Sequence, residues 1–444
     1  MRVLMFGWEF PPHISGGLGT ACFGMTQALA KKGAEIIFVL PRAEGSSQHN
    51  SFLRLRSASG TPITEEAAEK MAWAGQKAWH ESIRYLPVDS PLVPYLTPRG
   101  YAQTLERLRQ ESEKLSPRPG EERAGQGSAF TFRLCGGYGP DLMSEVTRYS
   151  RLAAAIALQE SFDIIHAHDW MTYPAGMLAR SLTGKPLVVH IHATEYDRSG
   201  VNINEQVAGI EKAGLLAADV VVAVSRFTRR TVIERYGVPP DKVVVVHNAV
   251  ARHEAEKRFP VPPRIRHEKR VLFLGRITFQ KGPEYFMEAA RLVLEKIPRA
   301  RFCMAGSGDM LSGLIRRAGQ LRIGHRFHFS GFLRGDDVDH MFALSDLYVM
   351  PSVSEPFGIT PLEAILYDVP VLLSRQSGVS EVLNHALKAD FWDTRDMADK
   401  ICAVLRYPCL AAELVKNCKE EMKNIRWENA ADQLMAVYHS AGGQ

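Results

Sequence analysis

Two glutamates in the second half of the chain, Glu355 and Glu363, stand eight positions apart in a segment that could bind a sugar nucleotide. The run before them, Asp346–Pro351, is typical of a buried parallel strand that leads into a loop. The run after them predicts a helix, with Thr360 as its N-cap and Pro361 at its first position. The spacing therefore predicts Glu355 in a loop at a strand end and Glu363 in the first turns of a helix.

Backbone N–H groups at the start of this predicted helix would be available to a phosphate, and they belong to Gly358, Ile359 and Thr360. One carboxylate on each side of a phosphate suits a sugar nucleotide, because one acid can hold sugar hydroxyls and the other ribose hydroxyls. A solvated loop acid and an acid that complements a helix dipole explain the same two residues equally well.

A glycine-rich turn, Gly16-Gly17-Leu18-Gly19, follows the predicted strand Arg2–Phe6 and precedes a helical pattern that runs to Lys31. Glycine lets the backbone approach a diphosphate closely, and a helix N-terminus attracts the negative charge. A plain tight turn accounts for the same glycines.

Two cations, Arg276 and Lys281, come directly after the predicted strand Arg270–Leu274. Both could reach one diphosphate and neutralise the charge that builds on a leaving group. Solvent exposure is the usual fate of arginine and lysine, but the position of this pair at a strand end favours a ligand site.

Two histidines, His166 and His168, lie at the end of the predicted strand Asp163–His166. This spacing could indicate a metal, but we expect only one of the two side chains to face a given side of the sheet. With no third ligand nearby in sequence, no metal site is predicted. His168 could instead hold a transferring sugar in a cleft, and a structural histidine is the alternative.

Asn248 closes the polar pair His247-Asn248, which ends another predicted strand, Lys242–Val246. This pair fits a contact with a ligand in a cleft and fits a simple turn equally well.

Composition describes a globular chain of 444 residues with 45% hydrophobic and 23% charged residues and a net charge of +5. The mild positive charge fits an anionic ligand. The sequence contains no stripe of basic residues interleaved with aromatic ones, so nucleic acid is not an expected partner.

The six cysteines form no CxxC pair, which argues for reduced thiols and against a zinc or disulfide framework. With no signal-peptide pattern and no run of 18 apolar residues, a cytoplasmic location without a transmembrane segment is expected.

Alternating strand-like and helix-like runs form two series, which predicts an α/β chain of two doubly wound parallel sheets. The expected first domain is 1–250, with an insertion at about 43–132 and with the helix 428–444 packing back on it. The expected second domain is 251–427, and the charged, proline-containing stretch Ala251–Lys269 is its linker. Ligands bind at the carboxyl ends of parallel strands, so the cleft between the two sheets is the expected site.

Taken together, these motifs resemble a family: the retaining GT-B glycosyltransferases of family 4, the group that contains bacterial glycogen and starch synthases. The resemblance covers nearly the whole chain and is carried by Gly16-Gly17-Leu18, His166-x-His168-Asp169-Trp170, Asn248, Gly275-Arg276, Lys281-Gly282, Ala305-Gly-Ser-Gly308 and Glu355-x7-Glu363. It implies two facing Rossmann-like domains and transfer of a hexose from a nucleotide sugar.

The resemblance also implies which residues act in catalysis. His168 would contact the transferring sugar near the reacting carbon, and Glu355 would hold the sugar's hydroxyls. Arg276 and Lys281 would bind the diphosphate. Neither a metal nor pyridoxal phosphate is implied, and no carboxylate stands as a nucleophile.

The remaining implied contacts bind the donor. Gly17, beside Gly16, would offer its N–H to the diphosphate, Asn248 would line the cleft and Glu363 would hold the ribose. The N–H groups of residues 358–360 would bind phosphate. One departure concerns Ile14, because bacterial glycogen synthases usually carry lysine at this place before the glycine pair. This residue leaves the donor nucleotide, ADP or UDP, open.

The expected activity is transfer of a hexose, glucose first, to a growing α-glucan by same-face attack of the acceptor hydroxyl. The expected partners are therefore a nucleotide sugar and a carbohydrate acceptor. A lipid-linked or surface-polysaccharide acceptor is the first alternative, and a non-catalytic scaffold that binds sugar nucleotides is the second. Oligomeric state is not predicted.

Overall fold

The computed structural model of this chain describes residues 1–11, 16–42, 53–64, 66–71, 134, 136–139, 141–250 and 268–443. Within these ranges the chain forms two α/β units, each built around one parallel sheet. Each sheet is covered by a hydrophobic core on both of its faces. The predicted fold class, two doubly wound parallel sheets, is confirmed.

The first sheet has seven parallel strands in the order β3-β2-β1-β4-β5-β6-β7. Their bounds are β1 (Arg2–Phe6), β2 (Glu35–Leu40), β3 (Arg54–Ser57), β4 (Ile164–His168), β5 (Leu187–Ile191), β6 (Val220–Ala223) and β7 (Val243–Val245). The central strands β4 and β5 are buried along their whole length, and apart from three histidines their residues are apolar.

Helices of the first unit connect these strands and cover both faces of the sheet. They are α1 (Gly17–Lys31), α2 (Leu142–Gln159), α3 (Tyr173–Thr183), α4 (Glu195–Ser199), α5 (Glu205–Ala217) and α6 (Arg226–Tyr236), and residues 66–71 are also helical.

The second sheet has six parallel strands in the order β10-β9-β8-β11-β12-β13. Their bounds are β8 (Arg270–Leu274), β9 (Arg301–Ala305), β10 (Phe327–Gly331), β11 (Leu347–Met350), β12 (Val371–Ser374) and β13 (Leu387–Ala389). The helices that follow Leu274 are α7 (Pro283–Lys296), α8 (Leu311–Gln320), α9 (Asp336–Ala343), α10 (Thr360–Leu366), α11 (Thr394–Arg406), α12 (Pro408–Glu421) and α13 (Trp427–Gly442).

Two local predictions need correction. Strand β4 continues to His168, two residues beyond its predicted end. Thr360 is the first residue of α10, the N-cap position is held by Ile359, and no side chain caps this helix. The hydroxyl of Thr360 is instead hydrogen-bonded to the side chain of Tyr348 on β11.

The last helix, α13, leaves the second unit and packs against α1 of the first. Trp427, Leu434 and Tyr438 lie in the same core as Met25 of α1. A Cβ added at Gly24 would lie 2.3 Å from Nε1 of Trp427, so this glycine lets the indole ring lie against the α1 backbone. The division at residue 250 stays a prediction, because most of the linker, 251–267, lies outside the described residues.

Several other predictions also fall outside the described residues: Ile14, Cys135 and most of the insertion at 43–132. The remaining five cysteines are free thiols. Among the described residues, no helix combines the length and the apolar character that a membrane span requires.

Candidate functional site

The strand order reverses between β1 and β4 in the first sheet and between β8 and β11 in the second. In open parallel sheets, ligands bind outside the carboxyl ends of the strands at such a switch point. The four motifs with candidate chemistry lie at these four strand ends: the glycine turn after β1, His168 on β4, Arg276 after β8 and Glu355 after β11. Chain topology therefore brings the separate sequence motifs to two corresponding edges.

The glycine turn after β1 is held in place by a buried carboxylate, Glu9. Its Oε2 accepts the N–H of Gly16 at 3.3 Å, and its other oxygen accepts a hydrogen bond from Tyr138. A Cβ at Gly16 would lie 2.7 Å from Oε2, whereas a Cβ at Gly17 would meet nothing within 4 Å. Burial raises the pKa of Glu9. Gly17 therefore opens the first turn of α1 to a ligand, while Gly16 is needed for packing.

The histidines of β4 are both fully buried and lie on the same face of the sheet, with ring centroids 4.2 Å apart. The expectation that they face opposite sides is wrong, because residues two apart in a strand share a face. The neighbouring strand adds His190, paired in register with His168, and His192 follows just beyond that strand. Desolvation is the main reason that the pKa of each of these four imidazoles is lowered, to about 3 for His192. All four rings are neutral at pH 7.

Arg276 follows β8 and is joined to the Glu355 loop through Gln280. The guanidinium of Arg276 donates to Oε1 of Gln280 at 3.2 Å, and the amide of Gln280 donates to the carbonyl of Ser354 at 3.1 Å. The backbone carbonyl of Gln280 accepts the N–H of Val353 at 2.9 Å. Gln280 is buried and fixes the distance between the cation and the loop.

Lys281 and Glu355 form an ion pair, with 2.5 Å between Nζ and Oε2. The carboxylate is 6% exposed and also accepts the hydroxyl of Ser352 at 3.1 Å. Its backbone is paired as an isolated parallel bridge with Ser377, which anchors the loop beside β12. Gly282, which follows the lysine, has φ of 64°, and a Cβ there would lie 2.1 Å from the carbonyl oxygen of Pro351. The pair is thus built into a tightly packed loop.

The loop from Glu355 to α10 turns at Gly358, whose φ is 97°. A Cβ at this glycine would lie 3.1 Å from Sδ of Met350 and 3.2 Å from Cγ of Glu355, so a larger residue would push the carboxylate. Glu363 lies in the first turn of α10 and is half-buried. Burial, followed by repulsion from Asp339, raises its pKa to about 7.

Direct contacts join the two units beside this loop. Ser354 donates to Asp197 of α4, and the hydroxyl of Ser225 donates to the carbonyl of Pro356 at 2.5 Å. Glu381 accepts the backbone N–H groups of Arg226 and Phe227 at 2.9 and 2.6 Å, so it caps the N-terminus of α6 from the other unit. The edges that carry the candidate residues therefore face each other across a narrow cleft.

Asn248 is buried just after β7, the edge strand, and two strands, β5 and β6, separate β7 from β4 at the switch point. Its neighbour His247 contacts Glu381 at 3.1 Å. Asn248 therefore lies beside the contact between the units and apart from the other predicted site residues of the first unit.

A cavity of about 540 Å³ lies elsewhere, beside α6, and its lining includes Arg226, Arg229 and Arg230. Arg229 already donates to the carbonyls of Val243 and Pro240 at 3.0 and 2.9 Å. The cavity is separate from the four strand ends, and we do not assign the donor to it.

Sequence reasoning missed four residues that organise the site: Glu9, Asp197, Gln280 and Glu381. The position of Gln280 between two cations at a strand end is a signal that could have been used. The other three act through partners in distant parts of the chain, so their sequence neighbours carry no sign of the role.

Three family models match successive parts of the chain. The starch synthase catalytic domain matches residues 2–114, glycosyltransferase family 4 matches 92–254, and glycosyl transferases group 1 matches 255–424. Together they cover almost all of the chain, and both halves of the site lie within them.

Relatives with similar sequences extend over the same length. An uncharacterized glycosyltransferase of Methanocaldococcus jannaschii is 27% identical over 99% of this chain and 98% of its own. Glycogen synthase of Mycobacterium tuberculosis is 24% identical over 99% of this chain and 95% of its own. D-inositol 3-phosphate glycosyltransferase 1 of Catenulispora acidiphila is 27% identical over 68% of this chain and 77% of its own.

Solved structures share the fold. Sucrose-phosphate synthase of Thermosynechococcus elongatus superposes with a TM-score of 0.68 at 18% identity, over 99% of this chain and 98% of its own. The catalytic domain of starch synthase IV of Arabidopsis thaliana, bound to ADP and acarbose, superposes with a TM-score of 0.65 at 15% identity, over 100% of this chain and 99% of its own. These structures show the GT-B fold. The three family models and the glycosyltransferase relatives show that the chain is an enzyme of the GT-B glycosyltransferases, in the family 4 and glycogen-synthase-like group.

Proposed function

We propose that this chain transfers a glucosyl group from ADP-glucose or UDP-glucose to a growing α-glucan, with retention of configuration at the sugar carbon. The observation that carries the proposal is the ion pair between half-buried Lys281 and buried Glu355 at the switch point of the second sheet. It places a cation suited to phosphate beside a carboxylate suited to sugar hydroxyls. The glycogen synthase relative and the starch synthase model support a glucan as acceptor.

The donor diphosphate would be held by Arg276 and Lys281, with help from the open N–H of Gly17 and the backbone at residues 358–360. In the ligand-free site the lysine is paired with Glu355, so a bound diphosphate would share that ammonium. Gln280 holds the Arg276 guanidinium close to the same loop. These cations can neutralise the leaving group, and the proposed transfer therefore needs neither a metal nor pyridoxal phosphate.

The hexose would lie between the two units, with its hydroxyls on Glu355 and its reacting carbon near His168. His168 is neutral, because burial lowers its pKa, so it can accept or donate a hydrogen bond without adding charge. The ribose would reach Glu363. When ribose hydroxyls donate to this carboxyl group they favour its ionised form, which opposes the burial that raises its pKa.

In the reaction, the bond between the sugar carbon and the diphosphate oxygen breaks, and its electron pair leaves with the nucleotide diphosphate. The acceptor hydroxyl oxygen bonds to the same face of the carbon, and its proton passes to the departing phosphate oxygen. Arg276 and Lys281 stabilise the developing anion, which is where preorganised charge lowers a barrier most. This scheme needs no carboxylate nucleophile, unlike retaining glycoside hydrolysis.

Transfer assays with purified protein test the proposal. ADP-glucose, UDP-glucose and GDP-mannose are offered with glycogen and without it, and chain growth and nucleotide release are followed. We expect glycogen-dependent release from one glucose donor, undiminished by excess chelator. Release only with GDP-mannose would overturn the assignment of the sugar, and activity that vanishes with chelator and returns only with a divalent cation would overturn the proposed phosphate clamp.

The second candidate is a small phosphorylated acceptor in place of a glucan. The match to a D-inositol 3-phosphate glycosyltransferase favours it, because that match also spans two thirds of the chain. Inositol phosphate as an added acceptor in the same assay separates the two, since only one acceptor should stimulate release of the nucleotide. If neither glycogen nor inositol phosphate stimulates release of the nucleotide from the donor, lipid-linked or surface polysaccharide acceptors are the next to be assayed.

A further inference from the structure

Four histidines form one buried cluster on a single face of the first sheet: His166 and His168 on β4, His190 on β5 and His192 beyond it. The ring centroids of His166 and His190 are 5.4 Å apart, and those of His168 and His190 are 5.5 Å apart. The first three side chains are at most 2% exposed. A proposed role for His168 in sugar binding explains only one of these residues.

Most ring nitrogens of the cluster have no hydrogen-bond partner among the described residues. These are Nε2 of His166, Nε2 of His168, both nitrogens of His190 and Nδ1 of His192. An unpaired buried polar atom destabilises the fold, so a chain rarely keeps several of them together without a ligand or ordered water. One ring nitrogen from each of His166, His168 and His190 lies within 4.8 Å of the other two.

Hydrogen bonds on the far side of two rings fix which nitrogen is available. Nδ1 of His166 is 2.6 Å from the hydroxyl of Tyr438 on α13, and Nδ1 of His168 is 3.2 Å from Nε2 of His192. Such outer hydrogen bonds orient metal-binding histidines and set their tautomer. They leave Nε2 of His166 and Nε2 of His168 as the free positions, beside His190.

The charge around the cluster favours a cation. Burial keeps the imidazoles neutral, so they present lone pairs and no positive charge. Buried carboxyl groups stand close by: Asp169 follows His168, and burial, followed by the negative charges of Asp169 and Glu9, raises the pKa of the Cys22 thiol. The thiol of Cys22 in turn lies within 4.8 Å of ring nitrogens of His168 and His192.

We propose that the triad of His166, His168 and His190 binds a transition-metal cation of the zinc class. Three imidazoles with an open fourth position for water form a known type of tetrahedral zinc site. Imidazoles bound at about 2.0–2.1 Å to one ion stand with centroids roughly 5 Å apart. The distances from His190 to His166 and His168, 5.4 and 5.5 Å, are close to this value, and the 4.2 Å between His166 and His168 would have to widen. Nitrogen ligands select zinc, cobalt or nickel over magnesium and calcium.

This cation has no part in the proposed transfer step. It would instead occupy Nε2 of His168, the same group that the proposed function offers to the sugar. Cation and donor would therefore compete, and only this consequence rests on the proposed function. Metal binding itself is measured without any donor.

The test uses the full chain, stripped of metal with chelator and then dialysed. Zinc and cobalt are titrated by calorimetry and by absorption, and magnesium is the control ion. We expect one equivalent of zinc, a tetrahedral cobalt spectrum and no uptake of magnesium. An absence of zinc uptake would overturn the proposal, because water would then satisfy the nitrogens, and equal binding of magnesium would overturn it as well.

Variants locate the site. H166Q and H190Q should each weaken zinc binding by more than the roughly 10–100-fold that loss of an outer-shell partner costs. H328Q, a substitution of an exposed histidine on β10, is the matched control and should bind as the wild type does. Unchanged affinity in folded H166Q and H190Q would overturn the proposal.

Tyr438→Phe covers the case in which those two variants do not fold. It keeps the aromatic ring in the core and removes only the hydroxyl that holds Nδ1 of His166. We expect zinc affinity to fall by about 10–100-fold, with thermal unfolding of the metal-free protein followed in parallel. Unchanged zinc affinity in folded Tyr438→Phe would overturn the assignment.

Discussion

The two edges that face each other across the cleft differ in charge. The edge of the first sheet presents neutral histidines and a glycine turn backed by Glu9, a carboxyl group whose pKa is raised. The edge of the second sheet presents Arg276 and an ion pair between half-buried Lys281 and buried Glu355. Because an anionic donor is attracted to cations, the second unit is the side that would bind it first. The first unit can then add contacts that carry no charge, which suits a sugar.

The largest effect should come from removing the one residue on each edge that we propose contacts the sugar. We expect Glu355→Ala and His168→Ala each to lower kcat by on the order of a hundredfold or more, because contacts made mainly in the transition state act on kcat. Initial rates at saturating donor, with circular dichroism as a check on folding, measure this.

Matched controls for these two substitutions are Glu413→Ala and His328→Ala, which change exposed residues on α12 and β10. Turnover like that of the wild type in Glu355→Ala or His168→Ala would remove that residue from the site. If only His168→Ala stayed active, the first edge would serve in acceptor binding or structure alone.

Glycines on the two edges should respond differently to a methyl group. Gly282→Ala forces a positive φ on alanine and a Cβ 2.1 Å from the Pro351 carbonyl, so we expect a loss of roughly 2–4 kcal/mol in the free energy of unfolding. Gly17→Ala meets nothing within 4 Å and should leave stability within about 1 kcal/mol of the wild type.

Denaturant unfolding of both glycine variants checks the first part of this comparison. The second part is kinetic: the methyl group at residue 17 should crowd a diphosphate and lower kcat/KM. A stable Gly17→Ala variant with unchanged kcat/KM would show that the glycine turn does not approach the donor.

Glu363 makes the second edge sensitive to pH. Its pKa is about 7 in the folded chain against 4.5 for the ordinary group, so the folded state holds an extra proton between these values. The contribution of this group to the free energy of unfolding is therefore fully present below pH 4.5 and is lost as the pH rises through 7. Relative to Glu363→Gln, the wild type should therefore lose up to about 3 kcal/mol of unfolding free energy between pH 5 and 8.

Binding should show the opposite trend, because the ribose hydroxyls that we propose at this site would donate to the ionised carboxylate. The affinity of the wild type for nucleotide diphosphate should rise with pH relative to Glu363→Gln, measured by calorimetry at pH 6 and 8. Parallel affinity curves for the two proteins would separate Glu363 from the ribose.

The smallest effect should come from the contact between the units. Glu381→Ala removes the acceptor for the N–H groups of Arg226 and Phe227, so we expect the ligand-free chain to open and its radius of gyration to increase slightly. Saturating nucleotide diphosphate with acceptor should reverse the increase. Small-angle scattering that gives one radius for wild type and variant, with and without ligand, would favour a preformed cleft.

The strand ends could be predicted from sequence because buried parallel strands are apolar runs, and these place the chemistry at the edges of the sheets. Strands β3 and β13 were missed, since Arg54–Ser57 and Leu387–Ala389 are short and partly polar. The prediction that His166 and His168 face opposite sides of the sheet is wrong, because side chains two residues apart in a strand point to the same side. The contacts of Asp197 and Glu381 join distant parts of the chain, which no local pattern can reveal.

Helix α13 has a consequence for how the chain folds during synthesis. It is made after every strand of the second sheet, yet its Trp427 and Tyr438 complete the core beneath α1. The first unit therefore emerges from the ribosome with part of its hydrophobic face uncovered, although domains commonly fold in the order of their synthesis. Until the last helix arrives, that face is a place where a chaperone or another nascent chain could bind.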